Sequence, residues 1–200
     1  MTLYEKLVNR LGGLFRRMYK LNVIGEENVP ADGAFVLGCN HTALFDPIML
    51  ILSVPRTIRF MAKKESFKTP VIGRLMAKLG MIPVNRGTAD LKAMKASLSC
   101  LKEGGVIGIF PQGTRCPGVD PETTKPKDGV AMLSYRTNSP VLPAFIVTKG
   151  RKLRPFRRTT VVIGKPIKPE ELMISSGTPS EYKAATELIW SRICDLEDKA

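Results

Sequence analysis

The chain contains one histidine, His41, and an aspartate follows it five residues later in the segment NHTALFD. An apolar run that predicts a buried strand ends just before His41. A turn into a helix can return the Asp46 carboxylate to one imidazole nitrogen, which fixes the tautomer and leaves the other nitrogen free to take a proton. Such a pair suits general-base activation of a hydroxyl group. In the alternative interpretation His41 is structural, and Asp46 before Pro47 is only a helix N-cap.

A second candidate, Arg86, comes directly after the short apolar segment 81–84. Its planar guanidinium is suited to binding a phosphate group. A solvated surface arginine is the alternative, since most Lys and Arg side chains are exposed.

A third candidate loop, FPQGTRC, follows the apolar segment 106–110. Its backbone amides around Gly113, the Thr114 hydroxyl and the Arg115 guanidinium can converge on an oxyanion or a phosphate. The alternative is an ordinary Pro/Gly turn that contains an arginine.

These loops must be positioned by the elements between them, and apolar runs alternate with helical patterns along the chain. The pattern predicts strands at 22–25, 34–39, 57–62, 81–84, 106–110, 141–148 and 159–163, and helices at 46–52, 66–79, 90–103, 129–137 and 180–196. It favours one α/β domain with a mixed, mostly parallel sheet and helices on both faces. Function in such sheets gathers in the loops outside the strand ends.

Residues 1–20 read as a basic amphipathic helix that precedes the domain formed by residues 21–200. The helix carries an apolar stripe and a basic face; the stripe is Leu3, Leu7, Leu11, Leu14 and Met18, widened by Val8 and Phe15, and the basic residues are Lys6, Arg10, Arg16, Arg17 and Lys20. A helix of this kind can lie on an anionic membrane surface. Packing against the protein's own core would produce the same periodicity.

Composition narrows the class of protein. The chain has 200 residues with 44% hydrophobic and 24% charged, which excludes a disordered chain, and its net charge of +13 predicts an anionic partner. Nucleic acid is not expected, because aromatic residues are few and the basic residues are scattered. The four cysteines lack metal-ligand spacing and suggest reduced thiols, and no apolar run reaches the length of a transmembrane helix.

The motifs resemble those of the glycerolipid acyltransferase family. NHTALFD is similar to the family's NHxxxxD motif, GMIPVNR (residues 80–86) to its second block, and FPQGTRC to its FPEGTRS block. The segment 141–144 loosely resembles the fourth block, although its proline alone would favour an edge strand or a strand start. The blocks occur in the family's order and cover about residues 34–146.

The resemblance implies that a fatty acyl group moves from acyl-CoA or acyl-carrier protein to the hydroxyl of lysophosphatidate. His41 would be the base and Asp46 its partner, and no metal or redox cofactor is expected. Arg86 and Arg115 would hold the acceptor phosphate, Gly113 and Thr114 would line that loop, and the fourth block would shape the acyl pocket. The resemblance also favours attachment of residues 1–20 to the cytoplasmic face of the cell membrane.

One departure from the family's motifs concerns the acceptor. Gln112 stands where the family usually has Glu, and its amide can hydrogen-bond a glycerol hydroxyl without supplying a charge. Glycerol 3-phosphate or another lysolipid therefore remains open as the acceptor. A basic membrane- or nucleic-acid-binding module without activity is a further alternative.

Overall fold

The computed structural model describes residues 3–85 and 90–200, and its strands form a seven-stranded sheet. The strands are β1 (Leu21–Ile24), β2 (Phe35–Cys39), β3 (Ile58–Lys63), β4 (Ile82–Val84), β5 (Val106–Ile109), β6 (Val141–Thr148) and β7 (Thr159–Ile163). They lie side by side in the order β1-β7-β6-β2-β5-β3-β4. Every neighbouring pair is parallel except β6 and β7. The predicted mixed, mostly parallel sheet is confirmed.

Helices cover both faces of the sheet, as predicted. They are α1 (Leu3–Met18), α2 (Asp46–Ser53), α3 (Pro70–Lys78), α4 (Leu91–Lys102), α5 (Gly129–Thr137) and α6 (Pro179–Cys194). Apolar side chains of α1 and α2 join one buried cluster on one face. Those of α4, α5 and α6 join a second cluster on the opposite face. Strands between two apolar layers are buried on both sides, which explains the near-continuous apolar run in β2.

Helix α1 packs on the domain through only part of the predicted stripe, together with Tyr4. Tyr4 is buried, and Val8, Phe15 and Met18 pack against the α1–α2 cluster. Leu11 and Leu14 belong to the predicted stripe but remain 42% and 59% exposed. The helix therefore buries one side in the protein and leaves apolar side chains outside.

Strand β6 starts at Val141 and lies inside the sheet, between β7 and β2, so of the two alternatives for this segment the edge strand is wrong. Pro143 is tolerated there because β7 ends at Ile163, opposite Ala144. The Pro143 carbonyl accepts a hydrogen bond from the Gly164 N–H at 2.8 Å, just beyond that end. No ladder donor is needed from the proline nitrogen at this point.

The reversal of β7 decides which loops share an edge with His41. Because β7 runs antiparallel to β6, it begins at the edge where β2, β5 and β6 end. Strand β1 is parallel to β7 and begins at the same edge. The C-terminal end of α1 and the β6–β7 connection thus lie at the carboxyl edge of the parallel strands.

The four cysteines are free thiols, and Cys39, Cys100 and Cys194 are buried. Burial raises the pKa of the Cys39 thiol well above its ordinary value and that of Cys194 to about 12. In the ranges 3–85 and 90–200, none of the helices combines the length and apolarity needed to cross a bilayer.

Candidate active site

The two residues of the NHTALFD motif meet directly at the carboxyl edge. His41 Nδ1 lies 2.8 Å from Asp46 Oδ2, and both side chains are buried. The loop after β2 carries the histidine, and the first turn of α2 carries the aspartate. The carboxylate holds the ring in one orientation, so Nε2 is the nitrogen left to exchange a proton.

Asp46 does not cap α2, contrary to the alternative reading from the sequence. It lies inside the first turn, and its Oδ2 accepts hydrogen bonds from the backbone N–H groups of Thr42 and Ala43 at 2.6 and 2.7 Å. The carboxylate thus faces back into the His41 loop. It orients the imidazole and holds the loop backbone at the same time.

The third loop grips the backbone of the histidine on both sides. The His41 N–H donates to Gln112 Oε1 at 2.7 Å, and the His41 carbonyl accepts from the Cys116 N–H at 2.8 Å. Gln112 is buried, and its Nε2 donates to Thr124 Oγ1 at 3.2 Å. Gln112 therefore positions His41 from inside the protein, which corrects our expectation that its amide faces the acceptor.

Aromatic stacking supports the imidazole from below. The His41 and Phe110 rings are nearly parallel, with centroids 4.0 Å apart. Phe110 stacks in turn on Phe60, with centroids 5.6 Å apart. Gly108 makes room for this stack, because a β-carbon there would overlap the Phe60 ring. Its role is close approach in a strand interior.

A cavity of about 230 Å³ opens beside His41. One part of its wall is apolar and is formed mainly by Met61, Val84, Met94 and Ile109. The remaining lining includes polar groups and glycines, among them Asn85, Gly113 and Lys127. Methionine side chains adapt their shape to flexible apolar ligands. The cavity is therefore lined by apolar side chains, by Lys127 and by His41.

The other predicted site residues are distributed differently. Thr114 and Arg115 are exposed on the third loop, next to Gly113. Arg86 lies outside the described residues, so its predicted phosphate contact stays a prediction. The fourth block, residues 141–144, is buried within the sheet and pairs with β2. It is not part of the described lining of the cavity beside His41.

Three residues that hold the loops of the site or line its cavity were not predicted from the sequence. Asn40 accepts from the Ile146 N–H at 2.7 Å and donates to the Ile146 carbonyl at 3.2 Å, which fixes the loop where it leaves β2. Thr124 accepts the hydrogen bond from Gln112 Nε2, and its hydroxyl in turn donates to the Pro121 carbonyl. Lys127 reaches the cavity across Gly113, where a β-carbon would lie 2.8 Å from its Cε. For Asn40 the only signal was its place beside the histidine in the motif.

Comparisons with known proteins find similar sequences. A family model described as Acyltransferase matches residues 20–147. A 1-acyl-sn-glycerol-3-phosphate acyltransferase of Bacillus subtilis is 31% identical over 202 residues, covering 98% of each chain. The chloroplastic 1-acyl-sn-glycerol-3-phosphate acyltransferase LPAT1 of Arabidopsis thaliana is 30% identical over 136 residues, or 66% of this chain and 37% of that protein.

A solved structure is also similar over almost the whole chain. It is the 1-acyl-sn-glycerophosphate (LPA) acyltransferase PlsC from Thermotoga maritima, with a TM-score of 0.70 and 28% identity. The match covers 97% of this chain and 78% of that one.

Proposed function

The chain belongs to the acyltransferase family, and we propose that it moves a fatty acyl group from an acyl thioester to the free sn-2 hydroxyl of 1-acyl-sn-glycerol 3-phosphate. The products are phosphatidate and the free thiol of the carrier. The His41–Asp46 pair carries this proposal, because its hydrogen bond of 2.8 Å orients an imidazole at the wall of a cavity. The names of the similar proteins from Bacillus subtilis and Thermotoga maritima support the acceptor.

In the proposed reaction His41 Nε2 removes the proton from the acceptor hydroxyl as its oxygen attacks the thioester carbonyl. The tetrahedral intermediate then collapses, the carbon–sulfur bond breaks, and the thiolate takes the proton from the imidazolium. Asp46 stabilises the imidazolium and keeps the ring in place throughout. All bond changes occur between the two substrates and one side chain, so no covalent intermediate on the protein is needed.

The cavity lining suggests how each substrate would lie. The apolar lining residues suit the acyl chain, while Lys127, which also lines the cavity, offers a cation for a phosphate. We keep Arg86 and Arg115 as proposed phosphate ligands that act with it. Holding the phosphate fixes the distance from the hydroxyl to His41 and turns the encounter into an oriented reaction.

We further propose that the protein works as a peripheral protein on the cytoplasmic face of the cell membrane. The acceptor is a membrane lipid, and the net charge of +13 favours anionic leaflets. Helix α1 supplies one contact through the exposed Leu11 and Leu14. Acyl-CoA and acyl-carrier protein are both anionic donors and both fit this charge.

A radiolabelled transfer assay tests the proposal. Wild-type protein and His41→Ala are supplied with lysophosphatidate in vesicles and with each of the two acyl donors. We expect the variant to lose about 10²–10⁴-fold in rate, the usual contribution of a general base, and to keep its vesicle binding. Residual activity within about tenfold of wild type would remove His41 from the role of base.

The same assay with a panel of acceptors decides the substrate. Glycerol 3-phosphate and other lysolipids replace lysophosphatidate at equal concentration. If lysophosphatidate is inert and another acceptor reacts, the acceptor proposed here is wrong while the chemistry at His41 stands.

A further inference from the structure

The connection between β6 and β7 presents an aromatic side chain to the outside. Phe156 is 73% exposed, whereas Leu153 of the same connection packs against the core. The backbone of Phe156 has a φ of 63°, which is strained for a bulky side chain. Its N–H donates to the Met18 carbonyl at 2.6 Å, which ties the connection to the end of α1. Strain of this kind persists where the surroundings hold it and often marks a functional position.

Three exposed arginines flank Phe156 in the sequence: Arg154, Arg157 and Arg158. Among the described residues none of them forms an ion pair. Arg151, in the same basic run, behaves differently, because it is paired with Glu197 at 3.0 Å. Within the part of the chain that the structure describes, the run KGRKLRPFRR therefore divides into one arginine held in ion pairs and an outer cluster of arginines that form none.

The β6–β7 connection lies on the same side of the sheet as the candidate active site. It lies at the carboxyl edge, as does His41, because β7 reverses direction there. Phe45, one residue before Asp46, is 40% exposed and contacts Phe15 of α1 with ring centroids 6.1 Å apart. Leu44 beside it is 62% exposed. Exposed apolar side chains thus occur on α1, on the catalytic loop and on the β6–β7 connection.

We propose that residues 153–158, the interface loop, form a second membrane contact beside α1. Phe156 enters the headgroup region of an anionic bilayer, and Arg154, Arg157 and Arg158 bind the lipid phosphates. This inference rests on the proposed function, because a lipid acceptor can reach His41 from the membrane only if the carboxyl edge faces the bilayer. An aromatic tip with flanking cations is the composition that a charged membrane interface binds.

Vesicle sedimentation tests the interface loop directly. Full-length protein is mixed with phosphatidylcholine vesicles with and without phosphatidylglycerol. Phe156→Asn removes the ring while keeping a residue that accepts a left-handed backbone. We expect about tenfold weaker binding to the anionic vesicles, the scale of one phenylalanine withdrawn from an apolar environment. Phe156→Trp should retain wild-type binding, because tryptophan is favoured at membrane interfaces.

Met173 provides a matched control. Its side chain is 85% exposed, and its φ of 51° is positive, as in Phe156. Met173 directly follows the short helical turn 169–172, and this turn packs near α5 on the other face of the sheet. Met173→Asn should bind vesicles as wild type does. Replacing the three arginines of the interface loop by Gln should weaken binding about fivefold per charge at low salt, and the difference should shrink as salt rises.

A water-soluble short-chain lysophosphatidate separates this proposal from the proposed function. Phe156→Asn should turn over that acceptor at the wild-type rate. If wild-type protein does not acylate it, the proposed function fails, whatever the vesicles show. If the loop variants bind vesicles as wild type does, the inference is wrong. If they instead lose only kcat/KM for an acyl-carrier-protein donor, the loop binds the donor and the inference is equally overturned.

Discussion

Asp46 combines two tasks in one carboxylate oxygen. Oδ2 receives the imidazole of His41 and the N–H groups of Thr42 and Ala43, all within 2.8 Å. In the proposed mechanism its charge stabilises the imidazolium, whereas its hydrogen bonds to the two backbone N–H groups hold the loop. The two tasks can be separated by substitution.

Asp46→Asn should keep the loop and lose the chemistry. An amide oxygen still accepts from the two backbone N–H groups, but it cannot stabilise a charged imidazole. We expect kcat to fall by about 10²–10⁴-fold with little change in the free energy of unfolding. Asp46→Ala should be equally inactive and also less stable by about 1–3 kcal/mol, because buried donors are left without acceptors. Steady-state kinetics and denaturant unfolding measure both effects, and a stable, active Asp46→Asn would contradict this division.

Substitution of Lys127 tests the proposed binding of the acceptor phosphate. It lines the cavity with His41, whereas Lys125, two residues earlier, lines a separate groove near Trp190. Lys127→Met should raise KM for the phosphate-bearing acceptor about tenfold or more, the cost of one charge-assisted hydrogen bond. Lys125→Met is the control and should leave that KM unchanged. Equal effects of the two variants would assign the change to general charge.

Strand β5 acts on the site through its glycine. Gly108 admits the Phe60 ring, which supports Phe110 and through it the imidazole of His41. Gly108, which makes room for the stack, thus lies two residues before Phe110, the first residue of the FPQGTRC motif.

Gly108→Ala should disturb the whole stack. The added methyl group overlaps the Phe60 ring, so we expect a loss of about 1–3 kcal/mol in the free energy of unfolding together with a lower kcat. Gly13→Ala in α1 is the control, since its β-carbon would meet nothing within 4 Å, and it should be neutral or stabilising by up to about 1 kcal/mol. A wild-type kcat in Gly108→Ala would mean that the stack does not position the imidazole.

The start of α6 predicts a pH dependence. The Glu181 carboxylate accepts from the Ser175 hydroxyl at 2.7 Å and from the Thr178 N–H at 2.8 Å. The Ser175 hydroxyl first, and then the backbone N–H groups, hold the pKa of this carboxyl well below its ordinary range. Its stabilising effect is therefore complete above the unfolded value of about 4.3 and is lost as the pH falls below it.

Glu181→Gln should accordingly lower Tm at neutral pH. The difference from wild type should shrink as the pH drops below about 4, where the unfolded glutamate binds its proton. Thermal unfolding at several pH values measures this, with Glu187→Gln on the exposed side of the same helix as the control. A difference that stays constant with pH would show that the carboxylate charge does not stabilise the start of α6.

At the level of the whole molecule, local patterns predicted the elements well but not their neighbours. The expected bounds of α5, β6 and β7 match the observed ones, because apolar periodicity and flanking turns are local signals. The interior position of β6 and the reversal of β7 depend on long-range pairing, which the local sequence does not record. The direction of the Gln112 side chain was missed for the same reason, because its partners lie 71 and 12 residues away.

The sequence also does not show which of the basic residues behind the net charge of +13 are used inside the fold. Arg56 donates to the carbonyls of Pro30, Ala31, Gly33 and Gly104 and so holds loops at the amino end of the sheet. Arg151 is paired with acidic side chains. These cations stabilise the fold, so the charge available to anionic partners is smaller than the composition suggests.

The reversal of β7 also affects how the rate should be measured. With the C-terminal end of α1, the interface loop and His41 at one edge, an enzyme docked as proposed would meet its acceptor by lateral diffusion in two dimensions. Surface density then replaces bulk concentration as the relevant variable. Diluting lysophosphatidate with inert lipid at a fixed total amount of acceptor should slow the docked enzyme, whereas more vesicles of unchanged composition should not. A rate that follows bulk concentration alone would indicate that the acceptor arrives through water.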